Sequence, residues 1–169
     1  PHEVFTMANR MALREAADRP PPYRVEVRSV GGSPVRTSSG LVLLADRPLG
    51  RPTGGGVRPI DTLVVPGGNG VVAAAGGLVP WLRLAAPRCR RVTSVCSGSL
   101  LLAEAGLLDG RRATSHWTVC DLMAERFPAV EVEPDPIFVR DGNVWTSAGV
   151  TSGIDLALAL FKIIANAGQ

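Results

Sequence analysis

Residues 91–103 read Arg91-Val92-Thr93-Ser94-Val95-Cys96-Ser97-Gly98-Ser99-Leu100-Leu101-Leu102-Ala103. A short β-type run over residues 92–95 meets a Cys-Ser-Gly-Ser corner. The chain then passes at once into an Ala/Leu-rich run that is typical of a helix. The stretch therefore predicts a strand, a sharp turn and a helix, with Cys96 at the corner.

Cys96 is a candidate nucleophile. The free backbone N–H groups and the dipole at the start of a helix stabilise negative charge, which favours a thiolate there. A strand, a sharp turn and a helix also form the nucleophile elbow, in which the N–H of the next residue, here Ser97, contributes to an oxyanion hole. The alternative is a small buried side chain, because most free cysteines are buried. These residues alone leave both interpretations open.

The composition indicates one globular domain. The chain has 169 residues, of which 46% are hydrophobic and 20% charged, and this is enough for a sizeable core. No apolar run approaches the roughly 18 residues that a membrane helix needs, and no basic-then-apolar leader opens the sequence. We therefore expect a soluble, cytoplasmic protein without membrane contacts.

The cysteines and histidines form no disulfide or metal-site pattern. Cys89, Cys96 and Cys120 are an odd and widely spaced set, and His2 and His116 are far apart in the sequence. Zinc sites and disulfide frameworks use shorter and more regular spacings. We predict no metal and no other cofactor, and we expect Cys89 and Cys120 to be structural.

The positive charge is carried almost entirely by arginine. The formal net charge is +3, and Lys162 is the only lysine. The arginines are scattered along the chain, which favours a solvated face over a DNA-binding stripe. No helix-turn-helix pattern is present among these residues.

The rest of the chain alternates predicted helices and strands. The predicted helices are residues 4–13, 78–86, 97–105 with Gly106 as the C-cap residue, 119–127, and an amphipathic helix over 151–167. The predicted strands are residues 23–30, a buried run over 41–45, 60–65, 92–95, 130–132, and a hairpin of 137–140 and 144–147. A surface loop is expected over residues 46–59. This alternation predicts a single α/β domain with a mainly parallel sheet.

A second strand ends at a glycine-rich turn that includes Gly67, Gly68 and Asn69. Glycine lets backbone N–H groups approach a ligand closely, but no Gly-Lys-Ser/Thr follows, so the turn is not a P-loop. Because ligands in open α/β sheets bind at the carboxyl ends of strands, we expect this turn to lie opposite Cys96 and to supply a second oxyanion donor. A tight turn at the end of a strand is the alternative.

Four motifs occur in order along the chain: residues 64–69, residues 92–98, residues 103–117 ending in Ser115-His116-Trp117, and residues 146–150 with 153–155. Together they resemble the ThiJ/PfpI superfamily of class I glutamine amidotransferase-like proteins. The chain looks most like the N-terminal ligand-sensing domain of AraC-type transcriptional regulators, in which a helix-turn-helix domain follows. The resemblance implies a flavodoxin-like three-layer sandwich that commonly forms a homodimer.

The resemblance also implies a site at the elbow. It places His116 near Cys96, and the backbone amides of Gly68 and Ser97 over the cysteine. Cysteine proteases of the superfamily have histidine directly after the nucleophile, where this chain has Ser97, so protease activity is not expected. The family's acidic partner of the cysteine belongs to a loop ahead of residues 1–5. We expect that loop and the first strand to lie outside this sequence, and Glu3 is a candidate pocket residue.

Two functions follow from this resemblance. The favoured one is a sensory domain that binds a small metabolite in the Cys96 pocket and acts on DNA only through a helix-turn-helix domain outside this chain. The other is a cysteine-dependent hydrolase or hydratase, similar to isonitrile hydratases or glyoxalase-type enzymes, in which Cys96 attacks and an acid or His116 transfers protons. The fold does not choose between them.

Overall fold

The structure is a computed structural model that describes residues 1–15, 20–50 and 60–166. Its helices are α1 (His2–Glu15), α2 (Val71–Ala85), α3 (Gly98–Glu104), α4 (Cys120–Arg126) and α5 (Ser152–Asn166). Its strands are β1 (Arg28–Ser29), β2 (Val35–Arg36), β3 (Val42–Leu43), β4 (Arg47–Pro48), β5 (Thr62–Val65), β6 (Arg91–Val95), β7 (Arg112–Ala113), β8 (Glu131–Val132), β9 (Phe138–Asp141) and β10 (Val144–Ser147).

The central sheet has four strands in the order β5-β6-β10-β9. β5, β6 and β10 run parallel, and β9 pairs antiparallel with β10. The tight turn between β9 and β10 is made by Gly142, with a φ of 60°, and Asn143, as expected for a two-residue hairpin. The predicted hairpin and the mainly parallel sheet are both confirmed.

Helices cover both faces of this sheet. Successive residues of a strand point to opposite faces, and accordingly Val144 belongs to one hydrophobic cluster while Trp145 belongs to another. The first cluster includes residues of α2 and α3, such as Leu82 and Leu102, and the second joins α1 and α5. The result is a three-layer α/β/α sandwich in which each fully buried leucine contributes about 1.5–3 kcal/mol.

Helix α3 ends where the sequence predicts. Gly106 has a φ of 75°, its N–H donates to Ala103 O at 2.8 Å, and the N–H of Leu107 donates to Leu102 O at 2.9 Å. These two bonds form a Schellman motif, which satisfies carbonyls that the end of a helix leaves free. The short helix is therefore closed at its C-terminus by a residue whose backbone conformation favours glycine.

Two predicted strands are wrong in extent or burial. Residues 23–30 form a strand only at Arg28–Ser29, which pairs with Arg47–Pro48 apart from the central sheet. The run 41–45 was expected to be buried, but only Val42–Leu43 is a strand, and Leu41 and Leu44 are 66% and 75% exposed. An apolar run is buried only if another element covers it, and this strand pairs with Val35–Arg36 alone among the described strands.

Other element boundaries differ in smaller ways. The loop expected over residues 46–59 contains β4, and residues 51–59 lie outside the described part of the chain. The helix expected over 78–86 begins earlier, at Val71, directly after the glycine-rich turn. The remaining predicted helices are present within about two residues, as is usual for helix ends, except that residue 167 at the end of the last one is outside the described residues.

Candidate functional site

Cys96 forms the expected corner between β6 and α3. Its φ is 58°, and it is the one non-glycine residue with a positive φ in the described part of the chain. Its backbone N–H lies 3.0 Å from Ser147 O and 2.9 Å from Ala148 O, so the corner is tied to the end of β10. Left-handed backbone at a non-glycine residue costs about 1–3 kcal/mol. The half-buried thiol is therefore held in a strained turn.

The two corners of the sheet touch through backbone atoms, and glycine makes this possible. A Cβ added at Gly67 would lie 2.7 Å from Ser97 N and 2.8 Å from Val95 O. A Cβ at Gly98 would meet the Val65 carbonyl oxygen even more closely. Gly67 is thus placed against the elbow, as the sequence predicts, and neither glycine leaves room for a side chain.

The Gly68 amide and Ser97 meet directly. The Gly68 N–H donates to Ser97 Oγ at 3.0 Å, so this donor is occupied by a side chain of the elbow itself. The N–H of Ser97 makes no hydrogen bond to any described residue, which leaves it as a free donor at the start of α3. The backbone amides of Gly68 and Ser97, which were expected over the cysteine, therefore lie close together. The Ser97 N–H is free to bind a ligand, whereas the Gly68 N–H already has a partner.

Asn69 contributes its backbone to the rim of the site. Its N–H donates to Ser38 Oγ at 3.0 Å, and its side chain is exposed. Ser38 lies between β2 and β3, so the hairpin that contains part of the run 41–45, predicted as a buried strand, places a hydroxyl beside the glycine-rich turn. The sequence contains no local signal for this contact, because 31 residues separate its partners.

His116 lies at the same edge of the sheet as Cys96. Its ring packs on Gly149, where an added Cβ would be 3.4 Å from His116 Cδ2, and Gly149 follows Ala148, which accepts from the Cys96 N–H. His116 Nδ1 lies 2.7 Å from Thr118 Oγ1 and accepts the Thr118 N–H at 3.3 Å. In the described residues, no hydrogen bond joins the imidazole to the Cys96 thiol.

Two serines beneath the corner were not predicted as site residues. Ser99 Oγ donates to Ser115 Oγ at 2.7 Å, and the Ser115 hydroxyl donates to the Cys96 carbonyl at 3.2 Å. Both serines are fully buried, so a broken hydrogen bond here would be costly. Their position in the sequence could have identified them as site residues, because Ser99 follows the elbow and Ser115 immediately precedes His116. They connect the segment that carries His116 to the backbone of Cys96.

Glu3 lies in the first turn of α1, and its side chain is 88% exposed. The Glu3 carboxylate faces His2, whose Nδ1 lies 3.7 Å from Glu3 Oε1. Within the described residues, no hydrogen bond or ion pair connects Glu3 to Cys96, Ser97 or His116. The structure thus brings the other predicted site residues to one edge of the sheet and leaves Glu3 without a polar link to them.

Cys89 and Cys120 have the surroundings of structural cysteines. They are 6% and 4% exposed, and burial raises the pKa of both thiols. Their sulfur atoms donate to backbone carbonyls, Cys89 to Ala85 and Cys120 to His116. These two thiols are therefore disfavoured as thiolates by their own environment.

The described residues contain neither a candidate metal site nor a helix suited to a membrane. Across 1–15, 20–50 and 60–166, no three His, Cys, Asp or Glu residues are grouped so that they could hold a metal ion. In the same ranges, no helix combines the length and the apolar character needed to cross a membrane.

Comparison with protein families gives a match over most of the chain. The model of the DJ-1/PfpI family matches residues 3–163. The chain belongs to the DJ-1/PfpI family. A solved structure of this kind, a ThiJ/PfpI family protein from Pseudomonas syringae, is 35% identical and superposes with a TM-score of 0.71 over 85% of this chain and 56% of that one. The flavodoxin-like α/β fold predicted from the sequence is thereby confirmed.

The proteins to which this chain is similar include both transcriptional regulators and an enzyme. The HTH-type transcriptional regulator CdhR of Pseudomonas aeruginosa is 40% identical over 155 residues, which are 89% of this chain and 43% of the regulator. Isonitrile hydratase of Pseudomonas putida is 47% identical over 103 residues, which are 60% of this chain and 44% of the enzyme. The chain therefore spans less than half the length of both relatives.

Proposed function

We propose that this DJ-1/PfpI domain is the ligand-sensing part of a transcriptional regulator of the AraC type. In this proposal a small metabolite binds at the corner formed by Cys96, Ser97 and the Gly67–Gly68 turn. The similarity to CdhR supports the class of protein, because it extends over 89% of the chain. DNA is bound by a helix-turn-helix domain outside this sequence, and the domain acts as a homodimer.

The observation that favours binding over turnover is the bond between the Gly68 N–H and Ser97 Oγ. An oxyanion hole works through donors that are preorganised and free to receive developing negative charge. Here one of the two donors already has a partner, and His116 Nδ1 is engaged by Thr118. A polar ligand is therefore met by the Ser97 N–H and the Cys96 thiol, without a general base in contact with the sulfur. The Ser97 hydroxyl is itself engaged, since it accepts the Gly68 N–H and donates to the Gly68 carbonyl at 3.4 Å.

Alkylation of Cys96 tests this proposal. The rate of modification by iodoacetamide is measured by mass spectrometry at neutral pH, with and without a panel of small aldehydes, amides and isonitriles, and each mixture is analysed for products. We expect at least one compound to slow alkylation without being consumed. The Cys96→Ala variant is the control that identifies the modified thiol.

A cysteine-dependent hydratase is the second candidate, and the 47% identity to isonitrile hydratase supports it. In that case Cys96 Sγ adds to the substrate carbon, and His116 or an acid outside the described residues transfers protons. Release of a product that disappears in Cys96→Ala would establish the enzyme and contradict the sensor. If no compound in the panel changes the alkylation rate or is converted, the placement of the ligand at Cys96 is wrong for these classes of compound.

A further inference from the structure

A second cleft lies at the opposite end of the sheet from Cys96. It has a volume of about 260 Å³ and is lined by Arg90, Arg91, Arg140, Gly142, Asn143 and Trp145. Arg91 begins β6, whereas Cys96 follows the last residue of that strand. Five residues of extended chain span roughly 17 Å, so the cleft is separate from the candidate site described above.

The cleft holds more positive than negative charge. Asp61 is the carboxylate bound to its arginines, with Oδ2 at 2.8 Å from Arg90 Nη2 and Oδ1 at 3.0 Å from Arg91 Nη1. Arg140 forms no ion pair with any described residue; its guanidinium lies 4.8 Å from the centre of the Trp145 ring, and its Nε donates to Gly142 O at 3.4 Å. Three guanidinium groups and one carboxylate give the group a net charge of +2, and Arg140 is the member without an ion pair among the described residues.

One of these arginines is largely withdrawn from water. The Arg91 side chain is 9% exposed. Burial lowers the pKa of its guanidinium, and the charges of Arg90 and Arg140 lower it further, while Asp61 acts in the opposite direction. Like charges held together in a partly desolvated cleft repel each other, and a bound anion would relieve that repulsion.

The residues around Asp61 keep this carboxylate ionised. Burial by itself would raise its pKa, but hydrogen bonds from Thr62 and Arg90, with the charges of Arg90 and Arg91, hold the pKa below its usual range. Asp61 therefore orients Arg90 and Arg91 and neutralises one charge only. The Asp141 carboxylate, next along the chain from Arg140, is used elsewhere, since it lies 3.5 Å from Arg111 Nη1 and accepts the Arg112 N–H.

We propose that this arginine cleft binds a small molecule that carries a phosphate group. Guanidinium groups bind phosphate oxygens in a fork-like geometry and with charge-assisted hydrogen bonds. The volume fits a phosphate or a small phosphate ester rather than a ligand of drug size, for which pockets measure about 300–1,000 Å³. Arg140 and Arg90, whose side chains are exposed at the mouth, contact the anion directly, and Arg91 closes the inner end.

Calorimetric titration tests the cleft with two probes, inorganic phosphate and glycerol 3-phosphate, at an ionic strength kept constant with sodium chloride. The test variant is Arg140→Gln, which removes a charge without breaking the Asp61 ion pairs. We expect the dissociation constant for both probes to rise about tenfold. Arg90→Gln is the second variant, and it is expected to weaken binding in the same direction.

Arg126→Gln is the control for the loss of one positive charge outside the cleft, although Arg126, unlike Arg140, pairs with Glu104 at 3.3 Å. Arg126 is also an exposed arginine over an aromatic ring, 5.4 Å from the centre of Phe127, but it lies in α4 and outside the cleft. We expect the dissociation constants of both probes for Arg126→Gln to stay within about twofold of the wild-type values, since surface charges at a distance are screened by salt. Thermal melting of each variant checks that the domain is folded.

Three results would overturn the proposal. The first is that neither inorganic phosphate nor glycerol 3-phosphate binds the wild-type protein at millimolar concentration, and the second is an equal loss of affinity in Arg126→Gln and Arg140→Gln. The third is binding of a short DNA duplex that depends on Arg140 while neither small probe binds, which would assign the cleft to nucleic acid. Tighter binding of glycerol 3-phosphate than of inorganic phosphate would identify an ester as the ligand and support the proposal.

Discussion

At the residue scale, the candidate site depends on positions that lack a side chain as much as on Cys96. Gly67 and Gly98 allow the glycine-rich turn and the elbow to touch, and Gly153 allows α5 to approach the end of β6, since an added Cβ would lie 2.7 Å from Val95 Cγ1. Protein interiors are packed too tightly to absorb an added atom without strain. These glycines therefore determine where the Cys96 thiol lies.

We predict that Gly67→Ala lowers the free energy of unfolding by about 2 kcal/mol or more. The new Cβ would meet backbone atoms of Val95 and Ser97, which are unable to rotate away. Urea unfolding followed by circular dichroism measures the change. Gly70→Ala is the matched control, because an added Cβ there meets nothing within 4 Å; equal losses in the two variants would contradict this account of Gly67.

The strained backbone of Cys96 leads to a second prediction. Glycine adopts a φ of 58° without steric cost, whereas alanine keeps the penalty that cysteine carries. We expect Cys96→Gly to be more stable than Cys96→Ala by about 0.5–1 kcal/mol, after the larger entropy of unfolded glycine is included. Thermal and urea unfolding of the two variants measure this difference. If Cys96→Ala is the more stable variant, the corner stores no strain.

At the element scale, the two-residue strands outside the central sheet are held partly by charge. Glu26 precedes β1 and forms ion pairs with Arg24 and Arg28, each at 2.7 Å, and it lies 3.6 Å from Arg47 of β4. The hydrogen bond from Arg28 and the charges of the three arginines lower the pKa of Glu26, against the opposing effect of burial. This carboxylate thus links β1 to β4 where backbone pairing is short.

A lowered pKa in the folded state makes stability depend on pH. The contribution of Glu26 is present above its unfolded pKa and is lost as the pH falls through its lower folded pKa. We expect Glu26→Gln to reduce the free energy of unfolding by about 1 kcal/mol near neutral pH. The difference from wild type should shrink below about pH 4.5. Urea unfolding at several pH values measures it, and a constant difference down to pH 2 would contradict the prediction.

Glu125→Gln serves as the control for this experiment. Glu125 is an exposed carboxylate of α4 that forms no ion pair with any described residue. Its replacement should leave the free energy of unfolding close to the wild-type value at each pH, because isolated surface charges contribute little.

At the scale of the whole molecule, packing separates the three thiols. Cys96 is half-buried at an edge of the sheet, while Cys89 and Cys120 are buried. Buried thiols react only when the surrounding structure opens, and the free energy of opening approaches that of global unfolding in a core. The fold therefore determines which cysteine is available for chemistry.

We predict that Ellman's reagent modifies one thiol rapidly in the native protein, and the other two at a rate that denaturant accelerates. The release of thionitrobenzoate, followed by absorbance, measures the two phases. The rapid phase should be absent in Cys96→Ala and retained in Cys89→Ala. Three thiols that react at one rate would show that burial does not protect Cys89 and Cys120.

Much of the architecture was predictable from sequence because it depends on short-range signals. The β-type run before Cys96, the glycine at position 106 and the Gly142-Asn143 turn each act over a few residues through backbone conformation. Residues 41–45 show the limit of this reasoning. Their apolar character is local, but their burial depends on whether a distant element covers them, and in the described structure none does.

The sequence by itself determined the α/β fold, the position of the elbow at Cys96 and the glycine-rich turn at the end of β5, because hydrophobic periodicity and backbone turns are local patterns and parallel strands end at the same edge of a sheet. Only the tertiary structure decided how those groups are used. The bond between the Gly68 N–H and Ser97 Oγ joins residues 29 apart, and the arginine cleft brings Arg140 to Arg90 and Arg91 across the sheet. Such contacts depend on how side chains from distant segments of the chain are placed against each other, and a local sequence pattern does not encode that placement.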